Sequence, residues 1–316
     1  MWSSNRIFER LLESLNRLRT SNHRPHKGVI VHPTAIVSPK AVIGEGTQIG
    51  PNAYIDEDVE IGPGCQIGPN VVILRYTRLG ARCRVHAGAV LGDLPQDWSF
   101  EGKRSFVRIG DECVIREGVT VHRGTHEDTE TVIGNRCLLM ANSHVGHNGR
   151  VGDGAMLANG ALVAGYAQVG AQAVISGNCL IHQFTRVGRL AMMAGGSAVQ
   201  MDVPPFCMTQ SLSANTVQNL NVIGMRRAGF SKQERAVVKE AFDHFFRSGV
   251  PVKKALEELT QGEPHPLVQE FCQFIKESKR GVCKFYRDSR RTRRDRSGAG
   301  SHDDDDTQQM RLRPAA

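Results

Sequence analysis

An aliphatic residue occupies every sixth position from Val31 to Leu91: Val31, Val37, Ile43, Ile49, Ile55, Ile61, Ile67, Ile73, Leu79, Val85 and Leu91. The count breaks at GDLPQDWSFEGKRSF and resumes at Ile109, Ile115 and Val121. It breaks again at RGTHEDTET and then runs without a slip from Ile133 to Val199. A helical period of 3.6 or 3.5 cannot produce this, and strand alternation does not demand a fixed six. The pattern is that of a parallel β-helix in which each hexad is a short strand plus a turn. Three hexads make a triangular coil of 18 residues with the aliphatic residue pointing inward. The 26 repeat positions build eight to nine coils over residues 29–206. Glycines beside the repeat residue suit turns that need permissive backbone angles. The pattern itself does not decide the hand of the coil.

The same period accounts for the cysteines. Cys65, Cys83, Cys113, Cys137 and Cys179 each lie two residues before a repeat position, a second inward slot suited to small side chains. Neither CxxC nor CxxxC spacing occurs. They read as small buried hydrophobes in a reducing compartment and not as zinc ligands.

The two interruptions, residues 93–106 and 123–131, cannot continue the prism and should loop outward. Long excursions from a rigid scaffold commonly carry function. After DVPPF (202–206) helical periodicity replaces the hexads, with a capping-box pattern, Ser231 and Glu234, opening one segment. Further helical patterns lie at 251–260 and 266–279, so residues 207–286 are expected to form a small helical domain. Residues 287–316 carry opposite charge blocks with almost no apolar residues and are expected to be disordered.

The net charge of +8 sits at the ends. Residues 1–27 hold six Arg/Lys against two Glu, and residues 276–316 hold twelve against seven acids. The part between is near neutral, which argues against a nucleic-acid-binding surface. Residues 1–28 form a basic amphipathic extension, with Ile7, Phe8, Leu11, Leu12, Leu15 and Leu18 on one helical stripe. It is expected either to dock on this protein or its oligomer or to make weak contact with an anionic membrane surface. With no secretory h-region and no apolar run of membrane-spanning length, a cytoplasmic location is expected.

Positions 18 apart stack on successive coils, which aligns His147, Gly165 and Gln183, with His182 beside the last. His122 and His144 flank repeat positions on the same half of the chain. An apolar prism has little use for imidazoles except on its outer surface, at a groove. His122, His144, His147 and His182, all within residues 122–183, therefore mark a candidate site.

Five segments, VTVHRGT (119–125), LLMANSHVGHN (138–148), LIHQF (180–184), DVPPF (202–206) and GMRRAGFS (224–231), carry a resemblance to a known family. In this order and spacing they resemble the acyl-ACP–UDP-N-acetylglucosamine O-acyltransferases of lipid A synthesis, over about residues 29–285. The resemblance implies an all-β left-handed parallel β-helix followed by a small α-helical domain. It implies a homotrimer with active sites between subunits. The implied reaction moves an (R)-3-hydroxyacyl group from acyl carrier protein to the glucosamine 3-OH, without metal or cofactor. His147 matches the family's general base, and Gly165 the glycine whose N–H stabilises the oxyanion. His122, His144, His182 and Gln183 match substrate-groove positions, Asp97 a sugar-contacting aspartate, and Gly195 a position that gauges acyl length. Asn221 and Arg227 match nucleotide contacts. Arg226 and Arg227 are suited to the acidic carrier protein.

Four positions depart from the family. Asn148 follows His147 where an aspartate is usual, Tyr166 replaces a sugar-binding histidine, Ile223 a glutamate and Ser99 a lysine. These departures leave other readings open: transfer to a 3-amino sugar nucleotide, since an amine needs less base assistance, or a non-catalytic relative. A carbonic-anhydrase-like metal site on the same prism fits poorly, because His144 and His147 are three apart and the third histidine of that pattern is missing.

Overall fold

A computed structural model describes residues 28–286 of the chain. The amphipathic stripe before residue 28 and the charged segment after residue 286 lie outside the described residues. The hexads form three parallel sheets, one per side of a triangular prism. Strands Ile30–Val31, Ile36–Val37 and Val42–Ile43 open the first, second and third faces. Each pairs with the strand 18 residues on, Ile30 with Gln48, Ile36 with Tyr54 and Val42 with Glu60. Most strands are only two residues long, and the second residue is the aliphatic repeat residue. From Ile43 to Val199 every repeat residue is buried, none more than 4% exposed. Burying each stabilises the fold by about 1.5–3 kcal/mol, so the ladder dominates the energetics of an otherwise glycine-rich chain.

The corners explain the rest of the hexad. Each corner has four residues, and the second carries a backbone N–H that no ladder bond uses. Proline fits there without loss, as at Pro33, Pro51, Pro63 and Pro69. The third corner residue is left-handed, with φ near +56° at Asn52 and +55° at Asn70, where asparagine or glycine costs least. The cysteines fill the small inward slots as expected. All eight are free and buried. In one column the thiols of Cys65, Cys83, Cys113 and Cys137 point to Gly80, Gly110, Gly134 and Gly152 carbonyls at 3.0–3.2 Å.

Both interruptions leave the prism at the corner between the second and third faces. They are shorter than the sequence suggests, because pairing extends into their ends. Strands Val90–Asp93, Phe106–Ile109 and Glu130–Ile133 absorb those residues, leaving loops at 94–105 and 123–129. A second correction concerns residues 207–220, assigned above to the helical domain. Cys207–Thr209 extends the first face and pairs with an antiparallel strand, Thr216–Leu220, so the sheet closes the prism before the helices begin.

Among the described residues four helices follow: α1 (Val222–Arg227), α2 (Lys232–Arg247), α3 (Val252–Leu259) and α4 (Pro266–Lys276). The capping box at Ser231 and Glu234 forms as expected. Phe242, Phe245, Phe246 and Phe271 pack edge to face or tilted in the helical core. Arg189 clamps Glu270 of α4 through two bonds of 2.9 and 2.6 Å, fixing the helices to the last coils. No helix among the described residues is long and apolar enough to cross a membrane.

Candidate active site

The corner that releases both loops also carries Gly146–Gly149, Ala164–Ala167 and His182–Thr185 on three consecutive coils. His147, Gly165 and Gln183 all take the second corner position, the one whose N–H the ladder leaves free. Among the described residues the Gly165 N–H has no acceptor. The His147 side chain is buried and lies close against Gly165. A Cβ on Gly165 would fall inside the contact envelope of the ring's Cε1 and Nε2 and 2.9 Å from Nδ1. Glycine here serves close approach and not turn conformation.

Asn148, Tyr166 and Phe184 occupy the left-handed third position of the same three corners, at φ of 59°, 58° and 63°. Asparagine suits that backbone; the two aromatic residues do not adopt it readily. Their rings stack at 4.9 Å and 14°, and Tyr166 meets the edge of His147 at 5.3 Å. Asn148 Oδ1 accepts the Thr125 N–H at 3.0 Å and the Thr125 hydroxyl at 2.9 Å. A backbone N–H can only donate, so the atom facing it is the amide oxygen. The same oxygen lies 3.3 Å from His147 Nδ1, which therefore carries the proton. The Nε2 lone pair is left for chemistry. The Thr125 proton being committed to Asn148, Tyr166 donates its own hydroxyl proton to Thr125 Oγ1 at 2.7 Å.

The first loop brings Asp97 to the other side of the ring, Oδ2 standing 3.5 Å from His147 Nε2. Its Oδ1 accepts the Ser99 N–H at 2.9 Å and the Ser99 hydroxyl at 2.8 Å. These bonds, the backbone one first, hold the Asp97 carboxyl below the ordinary carboxylate value. Ser99, where the family has a lysine, thus orients the aspartate. The loop is pinned by buried Phe100, whose ring lies 5.4 Å from the buried Arg123 guanidinium; Tyr76 flanks the same cation at 5.5 Å.

His122 and His144 sit edge to face at 4.9 Å, and His144 Nδ1 bonds Thr120 Oγ1 at 2.7 Å. Burial, followed by the neighbouring imidazoles, pushes His144 down to about 4. Burial also lowers His122. Both rings are neutral at pH 7 and offer hydrogen bonds, not charge. The unfolded chain takes up a proton near the ordinary histidine value of 6.5 and the folded chain only near 4. Folding stability from His144 is therefore full above 6.5 and is lost as pH falls toward 4. His144→Gln should flatten the decline of the melting temperature between pH 6.5 and 4; an unchanged slope would show that His144 does not contribute.

One coil beyond Gly165, His182 is exposed and bonds the Gln183 carbonyl at 3.2 Å. The structure thus gathers Asp97, His122, His144, His147, Gly165, Tyr166, His182 and Gln183 along one corner. It leaves the other three candidates elsewhere. Gly195 stands at the corner between the first and second faces, with open space around its missing Cβ apart from the Gly177 carbonyl at 3.9 Å. Asn221 is the buried N-cap of α1; its amide accepts from Gly224 at 2.9 Å and donates to the Leu190 carbonyl at 2.8 Å. Arg227 is exposed on α1. Thr125 and Phe184 are functional neighbours that sequence reasoning did not pick out, and Ser99 was noted there as a departure from the family without its part in orienting Asp97. Only Phe184, 18 residues after Tyr166, carried a signal that could have found it. No group of three His, Cys, Asp or Glu among the described residues has metal-binding geometry.

A model described as UDP N-acetylglucosamine O-acyltransferase, domain 2, matches residues 202–283. Bacterial transferase hexapeptide repeats match residues 58–93 and 130–165. The chain is 45% identical over 256 residues to the acyl-[acyl-carrier-protein]–UDP-N-acetylglucosamine O-acyltransferase of Myxococcus xanthus, covering 80% of this chain and 99% of the relative. A protein of the same name from Synechocystis is 42% identical over 194 residues, 61% of this chain and 70% of that one. Among solved structures, a UDP-N-acetylglucosamine acyltransferase from Bacteroides fragilis superposes with a TM-score of 0.77 at 36% identity, covering 80% of this chain and 99% of its own. The one from Campylobacter jejuni gives 0.76 at 35%, covering 81% and 100%. The prism is accordingly a left-handed parallel β-helix with a helical C-terminal part.

Proposed function

This chain belongs to the acyl-[acyl-carrier-protein]–UDP-N-acetylglucosamine O-acyltransferase family, and from that premise we propose that the His147 corner transfers an (R)-3-hydroxyacyl group to the sugar 3-OH. The enzyme is an acyltransferase of lipid A synthesis that uses an acyl carrier protein donor and a UDP-N-acetylglucosamine acceptor. The observation that carries the assignment of roles is a tautomer-fixed His147 packed against Gly165, whose backbone N–H has no partner among the described residues.

The acceptor hydroxyl sits beside the Asp97–His147 pair, within reach of both, giving its proton to Nε2 as its oxygen attacks the thioester carbonyl. The Gly165 N–H receives the negative charge that develops on the carbonyl oxygen. Collapse expels the carrier thiolate, which takes the proton back from the imidazolium and leaves as a thiol. The Asp97 carboxylate favours the transient imidazolium and orients the sugar. The thioester is already an activated donor, so the scheme uses no metal or cofactor. His122, His144, Tyr166, His182 and Gln183 line the groove, and Gly195 leaves room for the far end of the acyl chain.

Three features support a homotrimer with the site between subunits. The first face carries an apolar outward column, Leu138, Met156, Val174, Met192 and Met208, and the second exposes Leu162 and Leu180. The third is polar, with Arg150, Gln168 and Arg186. Asn221 and Arg227 sit apart from His147 within one chain, so a nucleotide reaching both needs a neighbour. Arg227 would pair with a phosphate, and Arg226 with the acidic carrier protein. Since the Asn221 amide is engaged in capping and its backbone N–H and C=O are bonded to Phe206 and Met225, it would reach a nucleotide with its second amide hydrogen or by releasing Leu190. The cytoplasmic location expected from the sequence remains part of this proposal.

Asn148 gives a direct test. It orients the ring as an acid would but without charge. Asn148→Asp places a carboxylate against Nδ1, which favours the imidazolium. The acid limb of the kcat/KM profile should therefore move to higher pH by about one unit. An unmoved limb would show that residue 148 does not act through His147. The assay is mass spectrometry of products from carrier-protein thioesters of several chain lengths, with UDP-N-acetylglucosamine and its 3-amino analogue as competing acceptors. Exclusive acylation of the amine would replace this reading with the alternative.

A further inference from the structure

The first coil differs from every coil above it. Its outward positions are all aliphatic: Ile30 is 63% exposed, Val42 57%, and Ile36 half-buried. On the next coil the same positions are Gln48, Tyr54 and Glu60. Its inward residues are also incompletely covered, Val31 and Val37 being half-buried where Ile49 and Ile55 are buried. The ladder adds a directional feature. Backbone N–H groups of this coil donate onward, Ile30 to Thr47, Ile36 to Ala53 and Val42 to Val59. The carbonyls point the other way, and among the described residues those of Val29, Val31, Ala35 and Val37 accept no backbone bond. The end of the prism is thus an apolar plate ringed by acceptors, an open sheet edge of the kind that proteins normally cover.

We propose that residues 6–19 of this same chain close that end, laying Ile7, Phe8, Leu11, Leu12, Leu15 and Leu18 on the first coil. Complementarity is twofold. The stripe supplies apolar surface, while Arg6, Arg10, Arg17 and Arg19 supply side chains that only donate hydrogen bonds, matching a rim that only accepts. Reach is sufficient, since residues 20–27 span up to about 25 Å and one face of a coil, six residues, about 20 Å. The M. xanthus relative is matched over 99% of its length and leaves a fifth of this chain without a counterpart.

The test uses the full-length protein. Leu11→Cys with Ile36→Cys, treated with a short bis-maleimide, should give an intrachain cross-link, whereas Leu11→Cys with Gln168→Cys should not. All eight native cysteines are buried, which keeps background low. Amide exchange over residues 6–19 should be slowed at least about 10-fold relative to the free peptide. Leu11→Glu/Leu15→Glu should abolish that protection and lower the melting temperature while leaving kcat unchanged. Three results would overturn the proposal: free-peptide exchange rates in the protein alone, cross-links only between chains, or protection that appears only with phosphatidylglycerol vesicles. The last would instead mark the segment as a membrane-surface contact.

Discussion

Replacing His147 with alanine is expected to lower kcat by about 10²–10⁴-fold, with a much smaller change in KM for the sugar nucleotide. The reason lies in what the ring does and does not touch. Its Nδ1 is committed to Asn148, and its Nε2 stands 3.5 Å from Asp97, so a hydroxyl seated beside the pair can touch both. Removing the imidazole deletes the proton acceptor and leaves Asp97, Ser99 and the loops in place. His147→Gln should be nearly as inactive, since an amide cannot take a proton near neutral pH. The measurement is steady-state transfer at saturating thioester. A loss of less than 10-fold would mean that another group, Asp97 being the candidate, removes the proton.

Gly165→Ala is expected to cost about 10²-fold in kcat although it adds one methyl group. That methyl occupies the space of the His147 ring itself. The neighbours cannot yield, because Tyr166 borders the ring on one side and Asn148 fixes its Nδ1. The ring must shift from its place against residue 165, losing the base geometry beside Asp97. Folding stability should fall by about 1–3 kcal/mol as well. The two effects separate at low temperature, where the variant is folded. Full activity there would show that the ring does not rest on Gly165 during catalysis.

Most of the prism was legible because its period is fixed by stacking. An aliphatic residue every six places predicted the strands, the inward face and the slots of the cysteines, and spacing of 18 aligned His147 with Gly165. What failed to show was whatever the period does not govern. Asp93, Phe106 and Glu130 read as loop because they leave the hexad count, yet backbone pairing with neighbouring coils holds them as strands. Residues 207–220 lose the count too, but the last coil needs a cover, and a strand pair supplies it. At the site, Thr125 was invisible, and Ser99 was visible only as a departure whose role did not show, for a related reason. Each lies in a loop and acts through one hydroxyl, with its N–H, on a residue distant in sequence or across a tight turn. Nothing in local composition separates them from ordinary surface residues. Asn148 was visible as a departure, but its neutral lock on the ring tautomer depended on seeing the Thr125 N–H opposite it.

The central claim, that a base at His147 and an N–H at Gly165 transfer an acyl group to the sugar hydroxyl, is tested most directly by a single-turnover experiment. Purified wild-type protein and His147→Ala are mixed with (R)-3-hydroxyacyl-carrier protein and UDP-N-acetylglucosamine, and products are resolved by mass spectrometry. The prediction is one equivalent of 3-O-acylated sugar nucleotide and free carrier thiol from the wild type, with at most a trace from the variant. Equal product from both proteins, or none from the wild type with any carrier-protein chain length, would contradict it.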